Sequence, residues 1–237
     1  GKAHVYNGAQ AEALAVPAAD HALMKIPEGM SDARALLLTD ILPTGYKGAL
    51  SADIRPGDSV AVIGCGPVGQ MALETAFLFG PARVFAVDQV GYRLAEAERL
   101  GATPIDAGKV DPGEAIRDAN GGLGPHRVIE AAGPDDTVHL ALALVRAGGT
   151  VSQVGVNLNP GLPFPMWELF SKDITFRVGL VSPQALWASL LPLLEAERIK
   201  PERVFTHDRP MSEGPAAYEL FDGRTDGVIK VMLDPAS

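Results

Sequence analysis

The feature that most constrains this chain is a glycine-rich turn between a strand-like run and a helical pattern. Residues 60–63 are an unbroken run of β-branched and small apolar residues. Gly64, Gly66 and Gly69 follow in G-x-G-x-x-G register, and an apolar-faced helical pattern comes next. A turn of this kind joins strand to helix in a βαβ unit, and such units build a parallel sheet.

The central region repeats this alternation of strand and helix. Glycine or proline ends each predicted helix, where a left-handed residue closes a helix at little cost. Strands that are apolar on both faces belong inside a sheet covered by helices on each side. The sequence therefore predicts an α/β protein with a doubly wound Rossmann sheet of about six parallel strands. The predicted strands are residues 59–64, 83–88, 103–105, 127–130, 150–154 and 174–178, and the predicted helices are 68–79, 92–100, 111–119 and 135–145.

The glycine turn also has the composition of a pyrophosphate-binding loop. Glycine lets the backbone approach a ligand closely, and the first turn of the following helix offers unpaired N–H groups and a partial positive charge. We predict that Gly64, Gly66, Pro67, Val68 and Gly69 bind a dinucleotide cofactor.

Asp88 ends the next predicted strand, at about the ~20-residue spacing expected of the acid that binds the adenosine ribose. A carboxylate at this position repels a 2′-phosphate, so the pattern favours NAD over NADP. Arg93 is predicted to line the ribose edge. The alternative is that Asp88 only caps the following helix.

The two flanks of the central region are less regular. On the N-terminal side we predict a strand at 10–16, an extended link at 20–27 and a helix at 31–42. On the C-terminal side we predict a helix at 183–197, a strand at 203–206, a short helix at 212–221 and a last strand at 228–233. Neither flank completes a domain alone, so the predicted divisions are 1–42, a nucleotide-binding domain at 43–182, and 183–237.

Composition excludes several classes of partner. The formal net charge is −9 and no Lys/Arg-rich run occurs, which argues against nucleic acid. No apolar stretch approaches the ~20 residues of a membrane helix, and residues 1–30 lack signal-peptide features, so we expect no membrane partner and a cytoplasmic protein. The single cysteine, Cys65, excludes an internal disulfide. Its position in the turn favours an apolar filler over a reactive thiol.

Further segments extend the pattern over nearly the whole chain: residues 10–12, 25–29, 40–46 (Asp-Ile-Leu-Pro-Thr-Gly-Tyr), 56–58, 206–207, 217–222 and 229–231. Together with the glycine turn they resemble the medium-chain, zinc-dependent alcohol dehydrogenases, and segment 40–46 is most similar to the branch that holds formaldehyde dehydrogenases. The resemblance implies an alcohol or aldehyde substrate and a GroES-like barrel as the catalytic domain. Residues 1–42 would be a remnant of that barrel, and 183–237 would return to it.

The resemblance also assigns roles at single positions. Asp40 matches the third protein ligand of the catalytic zinc, and Lys230 matches a basic residue that reaches the pyrophosphate. Thr44 and Val68 match residues that press against the nicotinamide. The backbone that recognises the nicotinamide carboxamide corresponds to Val154, Gly155 and Val156. A solvated aspartate and a solvated lysine are the alternatives for Asp40 and Lys230. His207 matches a position outside the catalytic centre, which favours a structural role.

In the family, zinc polarises the alcohol oxygen for hydride transfer to NAD. Its other protein ligands, a Cys and a His, come from the N-terminal barrel. This sequence has no Cys besides Cys65, and neither His4 nor His21 stands in the Gly-His-Glu setting of the family. A lone Asp40 cannot hold zinc, since a catalytic site needs about three protein ligands. We therefore expect that residues ahead of Gly1 have been lost and that the chain binds NAD without retaining zinc.

Three hypotheses follow. The first is that the chain is the cofactor-binding portion of an NAD-dependent, zinc-type alcohol dehydrogenase. The second is a nucleotide-binding module without catalysis, and the third is a zinc-independent reductase of the same superfamily. The family relation also implies a homodimer or tetramer that pairs through the sheet edge at 174–178. Trp167, Trp187 and Phe164 remain open between core, interface and substrate contacts.

Overall fold

The computed structural model describes residues 8–236. Two compact units are distinguished: one takes the two chain ends, up to Leu36 and from Glu202, and the other is Leu37–Pro201. In chain order the elements are α1 (Ala19–Ala22), α2 (Asp32–Leu37), α3 (Ile41–Ser51), β1 (Ser59–Ile63), α4 (Pro67–Ala76), β2 (Arg83–Asp88), α5 (Gly91–Arg99), β3 (Thr103–Asp106), α6 (Pro112–Ala119), β4 (Arg127–Glu130), α7 (Asp135–Leu144), β5 (Thr150–Gln153), α8 (Met166–Lys172), β6 (Thr175–Val178), α9 (Pro183–Glu195), β7 (Phe205–Pro210), α10 (Gly214–Gly223) and β8 (Lys230–Asp234).

The second unit is built on a six-stranded sheet of order β3-β2-β1-β4-β5-β6. All five pairings in it are parallel, and Ile63 at the end of β1 is in register with Val87 of β2 and Glu130 of β4. This is the strand order of a Rossmann sheet. The predicted fold class is confirmed.

The sheet carries a hydrophobic core on each face. Val60 and Val62 point to one face and pack with Leu73 of α4. Ala61 and Ile63 point to the opposite face, in a cluster that includes Leu142 of α7. Every residue of β1 is buried. The continuous apolar run at 60–63 is thus explained by a central strand covered on both sides.

The structure differs from the sequence prediction at the entrance to this unit. One helix was predicted at 31–42, but α2 stops at Leu37 and a separate helix, α3, begins at Ile41. Pro43 lies in the first turn of α3, where a missing N–H costs no helical hydrogen bond. Gly45 and Gly48 lower the intrinsic helix propensity of this segment, so packing against the sheet unit stabilises α3 rather than local preference.

Other predicted elements are shifted or wrong. Residues 10–16 are irregular instead of a strand, with a bend at 11–12, and part of the predicted extended link is the one-turn α1. The strand predicted at 203–206 lies at Phe205–Pro210 and pairs in parallel with β8 in a two-stranded sheet of the first unit. The helix α8 was not predicted. Among the described helices, none combines the length and apolar character that a bilayer crossing demands.

A polar cluster lies where β1 and β4 begin, at the end of the sheet opposite the glycine turn. Arg127 Nε donates to Asp58 Oδ2 at 2.8 Å. Burial alone would raise the pKa of Asp58, but the hydrogen bonds from Arg127 and from the Arg55 N–H outweigh it, and the pKa is lowered. His126 Nδ1 accepts the Ser59 N–H at 3.0 Å. Burial and the positive charge of Arg146 lower the pKa of His126, against the opposing effect of Asp58.

A change at Gly45 tests the packing of α3. A Cβ at this position would lie 2.5 Å from Met71 Cβ and 2.6 Å from the Ala72 backbone nitrogen of α4. We expect Gly45→Ala to lower the free energy of unfolding in urea by about 1–3 kcal/mol, as overpacked cores do. Gly91→Ala is the control, since a Cβ there has nothing within 4 Å. Equal stability of the two variants would contradict the close approach of α3 to α4.

The His126 cluster predicts a pH dependence of stability. The folded-state pKa of His126 lies below its ordinary value of 6.5, so the unfolded chain binds more protons and stability falls as the pH is lowered through this range. A proton on Nδ1 would also face the Ser59 N–H. We expect His126→Gln to lose less stability than the parent chain between neutral pH and about pH 5, measured by urea unfolding. The contribution of Asp58 is lost only at lower pH, and identical pH profiles would contradict the assignment.

Candidate dinucleotide site

The glycine turn follows β1 at the point where the sheet reverses its strand order. The chain proceeds from β1 to β2 on one side, whereas β4 lies on the other side of β1. Parallel strands end at the same edge, so the turns after β1, β2 and β4 are neighbours. In open α/β sheets this crevice is where ligands bind.

Two glycines fix the path of the turn. Gly64 has φ +85°, a conformation that favours glycine, and its N–H donates to Val87 O at 2.9 Å. A Cβ at Gly69 would lie only 1.8 Å from Gly64 O. The start of α4 is therefore pressed against the end of β1, and Pro67 and Val68 form the first turn of α4 beside it. The free N–H groups of this first turn fit a pyrophosphate.

Asp88 connects the turn to the end of β2. Its Oδ2 accepts the Cys65 N–H at 2.6 Å, and its Oδ1 accepts the N–H groups of Gln89 at 2.7 Å and Val90 at 2.9 Å. Val90 is the residue that precedes α5, so Asp88 orders the approach to that helix without being its cap. The half-buried carboxylate is thus held at the edge of the glycine turn.

Two polar side chains beside the turn have atoms without partners. Gln70 Nε2 donates to Cys65 O at 3.0 Å and to Arg93 O at 2.9 Å. Gln70 Oε1 and Arg93 Nε are buried and have no hydrogen-bond partner among the described residues. Arg93 also lies closest to the space that a Cβ on Gly66 would occupy, at 3.7 Å. Buried polar atoms of this kind fit a polar ligand in the crevice. The sequence interpretation missed Gln70, although its position directly after Gly69 was a usable signal.

Cys65 is fully buried inside the turn. Burial and the charge of Asp88 raise the pKa of its thiol, which keeps it protonated and unreactive. The position therefore fits the apolar filler expected from the sequence.

The opposite side of the crevice is formed by the turns after β4 and β5. Val154 and Gly155 both donate their N–H groups to Glu130 O, at 2.8 and 3.0 Å. Val156 follows and is 65% exposed. Glu130 itself is fully buried, and sequence reasoning did not single it out.

Asp40 and Thr44 lie together at the start of α3. Thr44 Oγ1 donates to Asp40 O at 2.9 Å and lies 3.0 Å from Asp40 Oδ1. No group of three His, Cys, Asp or Glu side chains suited to a metal ion occurs among residues 8–236. The described residues do not fit a zinc centre by themselves, and His4 lies outside them.

The remaining predicted residues belong to the first unit. Lys230 opens β8, and His207 lies in β7. His207 Nε2 lies 3.2 Å from Asp226 Oδ2, and its Nδ1 lies 2.9 Å from Thr206 Oγ1. These contacts agree with the structural role expected of His207.

The fold and the glycine turn define a nucleotide-binding domain of the Rossmann type, and comparison with known proteins gives its family. The family profile described as zinc-binding dehydrogenase matches residues 67–196. A Mycobacterium tuberculosis protein named a probable zinc-binding alcohol dehydrogenase is 44% identical over 235 residues, which cover 99% of this chain and 60% of that protein.

Solved structures agree with this match. Alcohol dehydrogenase TADH from Thermus sp. ATN1 has a TM-score of 0.91 and 45% identity, covering 95% of this chain and 66% of its own. Zinc-dependent alcohol dehydrogenase 2 from Streptococcus pneumonia has a TM-score of 0.89 and 37% identity, covering 96% of this chain and 66% of its own. The chain belongs to the medium-chain, zinc-type alcohol dehydrogenase family. It spans about three fifths of the length of the M. tuberculosis relative.

Proposed function

We propose that the chain is the cofactor-binding portion of an NAD-dependent, zinc-type alcohol dehydrogenase. The complete protein would transfer hydride between NAD and a primary or secondary alcohol, or a hydroxymethyl adduct. The observation that carries the proposal is the geometry of the glycine turn, where the first turn of α4 and the Asp88 carboxylate meet at the edge of β1. The family match supports the type of reaction.

NAD rather than NADP is proposed because of Asp88. Two solved structures with this fold differ in their cofactor: an Escherichia coli alcohol dehydrogenase is complexed with NADH, and a Sinorhizobium meliloti dehydrogenase is bound to NADP. At 22% and 23% identity they show the fold alone. In this chain the negative charge of Asp88, held by three backbone N–H groups, would accept from the ribose hydroxyls and repel a 2′-phosphate.

The other site assignments are part of the same proposal. The glycine turn from Gly64 to Gly69 would meet the pyrophosphate, with Arg93 along the ribose edge. Thr44, Val68 and the segment Val154–Val156 would contact the nicotinamide, and Lys230 would reach the pyrophosphate. Asp40 would be one zinc ligand only if further ligands come from residues outside this sequence. We also propose that the first unit is part of the catalytic barrel, and that the protein is cytoplasmic, which cell fractionation checks.

The first experiment separates cofactor binding from catalysis. We expect the 237-residue chain to bind NADH in calorimetry, to contain no stoichiometric zinc by elemental analysis, and not to reduce NAD with alcohols. The physical reason is that Asp40 belongs to no group of three metal-binding side chains among the described residues. Absence of NADH binding would overturn the proposal, and zinc-free alcohol turnover would favour the zinc-independent reductase.

The second experiment tests the choice of cofactor. We expect Asp88→Asn to lower the ratio of NADH to NADPH affinity by about tenfold or more, as expected when a charged hydrogen bond and a repulsive charge are removed. Asp106→Asn is the matched control, because Asp106 ends the neighbouring strand in register with Asp88 but pairs with Lys109. The control should keep the parent ratio; an unchanged ratio in Asp88→Asn would overturn the assignment.

We further propose that the chain forms a homodimer or tetramer through the edge of the sheet at β6. This strand is mostly exposed and is the outermost strand of the sheet among residues 8–236. The adjacent helix α8 presents Trp167 and Phe170, which are 78% and 79% exposed and stack at 6.1 Å. Unpaired strand edges with apolar neighbours are normally covered.

The assembly is tested by sedimentation. We expect the parent chain to sediment as a dimer or larger species and Phe170→Asp to shift it towards monomer, because a buried unpaired carboxylate is costly. Leu123→Asp places the same charge at another exposed apolar residue, before β4, and should leave the association state unchanged. A monomeric parent chain at micromolar concentration would overturn the proposal.

A further inference from the structure

Glu130 is a fully buried carboxylate at the end of β4, and its side chain makes no hydrogen bond to the glycine turn among the described residues. Its Oε1 accepts three hydrogen bonds, from the N–H groups of Ala132 at 2.9 Å and Gly133 at 2.7 Å and from Thr137 Oγ1 at 2.9 Å. Its Oε2 is buried without a hydrogen-bond partner among residues 8–236. An acceptor left unpaired in the interior costs free energy, and the three hydrogen bonds to Oε1 account for only one of the two carboxylate oxygens.

The unpaired oxygen lies against the turn that follows β5. A Cβ at Gly155 would lie 2.5 Å from Glu130 Oε2 and 2.4 Å from the Gly133 nitrogen. Conversely, a Cβ at Gly133 would lie 2.4 Å from Val156 O. The turns after β4 and β5 therefore interlock around the carboxylate, and glycine is required on both sides of the contact.

Asn157 connects the turns after β4 and β5 through a second set of hydrogen bonds. Its Nδ2 donates to Gly133 O and to Asp135 Oδ1, both at 2.8 Å. Asn159 Nδ2 donates to Asp135 Oδ2 at 2.6 Å. The backbone of the segment Val154–Val156 is thus bounded by Glu130 on the inner side and by Asn157 on the outer side.

We infer that Glu130 is a positioning residue that sets the backbone of Val154–Val156 for the nicotinamide half of the cofactor. The inference rests on the proposed function, in which this segment meets the nicotinamide carboxamide. Backbone groups recognise a ligand only when held close to the productive geometry by side chains behind them. Glu130 holds the turn after β4 through Ala132 and Gly133, and thereby the segment that packs on that turn. Asp88 instead accepts the Cys65 N–H of the glycine turn, which serves the adenosine half of the cofactor in the proposed function.

The experiment compares two ligands that differ in the nicotinamide. NADH carries it, and ADP-ribose lacks it. In calorimetry with the 237-residue chain, we expect Glu130→Gln to weaken NADH binding by about tenfold or more, and to change ADP-ribose binding by less than about twofold. The amide can accept on one oxygen only, so its NH2 group must face either the donors of Ala132 and Gly133 or the Gly155 backbone.

Glu74→Gln is the matched control. Glu74 is also a buried carboxylate that accepts a backbone N–H from a turn, that of Lys200 at 2.6 Å. The same substitution there should leave both affinities at their parent values. If the parent chain binds neither ligand, the proposed function is wrong. If it binds both and Glu130→Gln weakens both equally or neither, the positioning role is wrong.

A second variant keeps the inference testable if Glu130→Gln does not fold. Asn157→Ala removes the hydrogen bonds from Asn157 to Gly133 and Asp135 and leaves the Glu130 carboxylate in place. Near-ultraviolet circular dichroism checks that the variant is folded. The same selective loss of NADH affinity is expected. Equal effects on NADH and ADP-ribose would overturn the positioning role in this variant as well.

Discussion

The contact between Gly64 O and the α-carbon of Gly69 determines how the chain leaves the central strand, and the rest of the site depends on it. With 1.8 Å between that oxygen and the Cβ of any larger residue, only glycine allows α4 to start directly above β1. The first turn of α4 then points its free N–H groups into the crevice at the strand-order reversal. Both hydrophobic cores support this arrangement, because β1 contributes alternate residues to each.

Two carboxylates flank β1 at this edge and use the same chemistry for different purposes. Asp88 at the end of β2 and Glu130 at the end of β4 each accept backbone N–H groups from a turn at the edge of the crevice. Asp88 remains half-buried, where its charge can act on a ligand. Glu130 is closed off, so its effect must pass through the backbone that it holds. The difference in burial between the two carboxylates, more than the difference in residue type, therefore distinguishes the proposed ligand contact of Asp88 from the proposed backbone positioning by Glu130.

The family relation suggests which reaction these features serve, but the described residues do not make up a whole catalytic site. The chain covers about three fifths of the M. tuberculosis relative, and its described residues hold no cluster suited to zinc. In the proposed function, the chain would provide the cofactor side of a hydride transfer. The Asp40 and Thr44 pair at the start of α3 lies in the unit Leu37–Pro201, so the segment that the resemblance links to the metal belongs to the same unit as the glycine turn.

Sequence alone determined the fold class, the six strands of the parallel sheet and the position of the glycine turn, because these depend on local periodicity and on the left-handed conformations that glycine adopts. It also indicated a structural role for His207. The tertiary structure decided what short-range patterns cannot encode. Helix α3 contains Pro43, Gly45 and Gly48 and was missed, since its stability comes from close contact with α4. Gln70 and Glu130 were missed because each makes a contact that only the folded sheet creates: Gln70 donates to Arg93 O of α5, and Glu130 packs on Gly155.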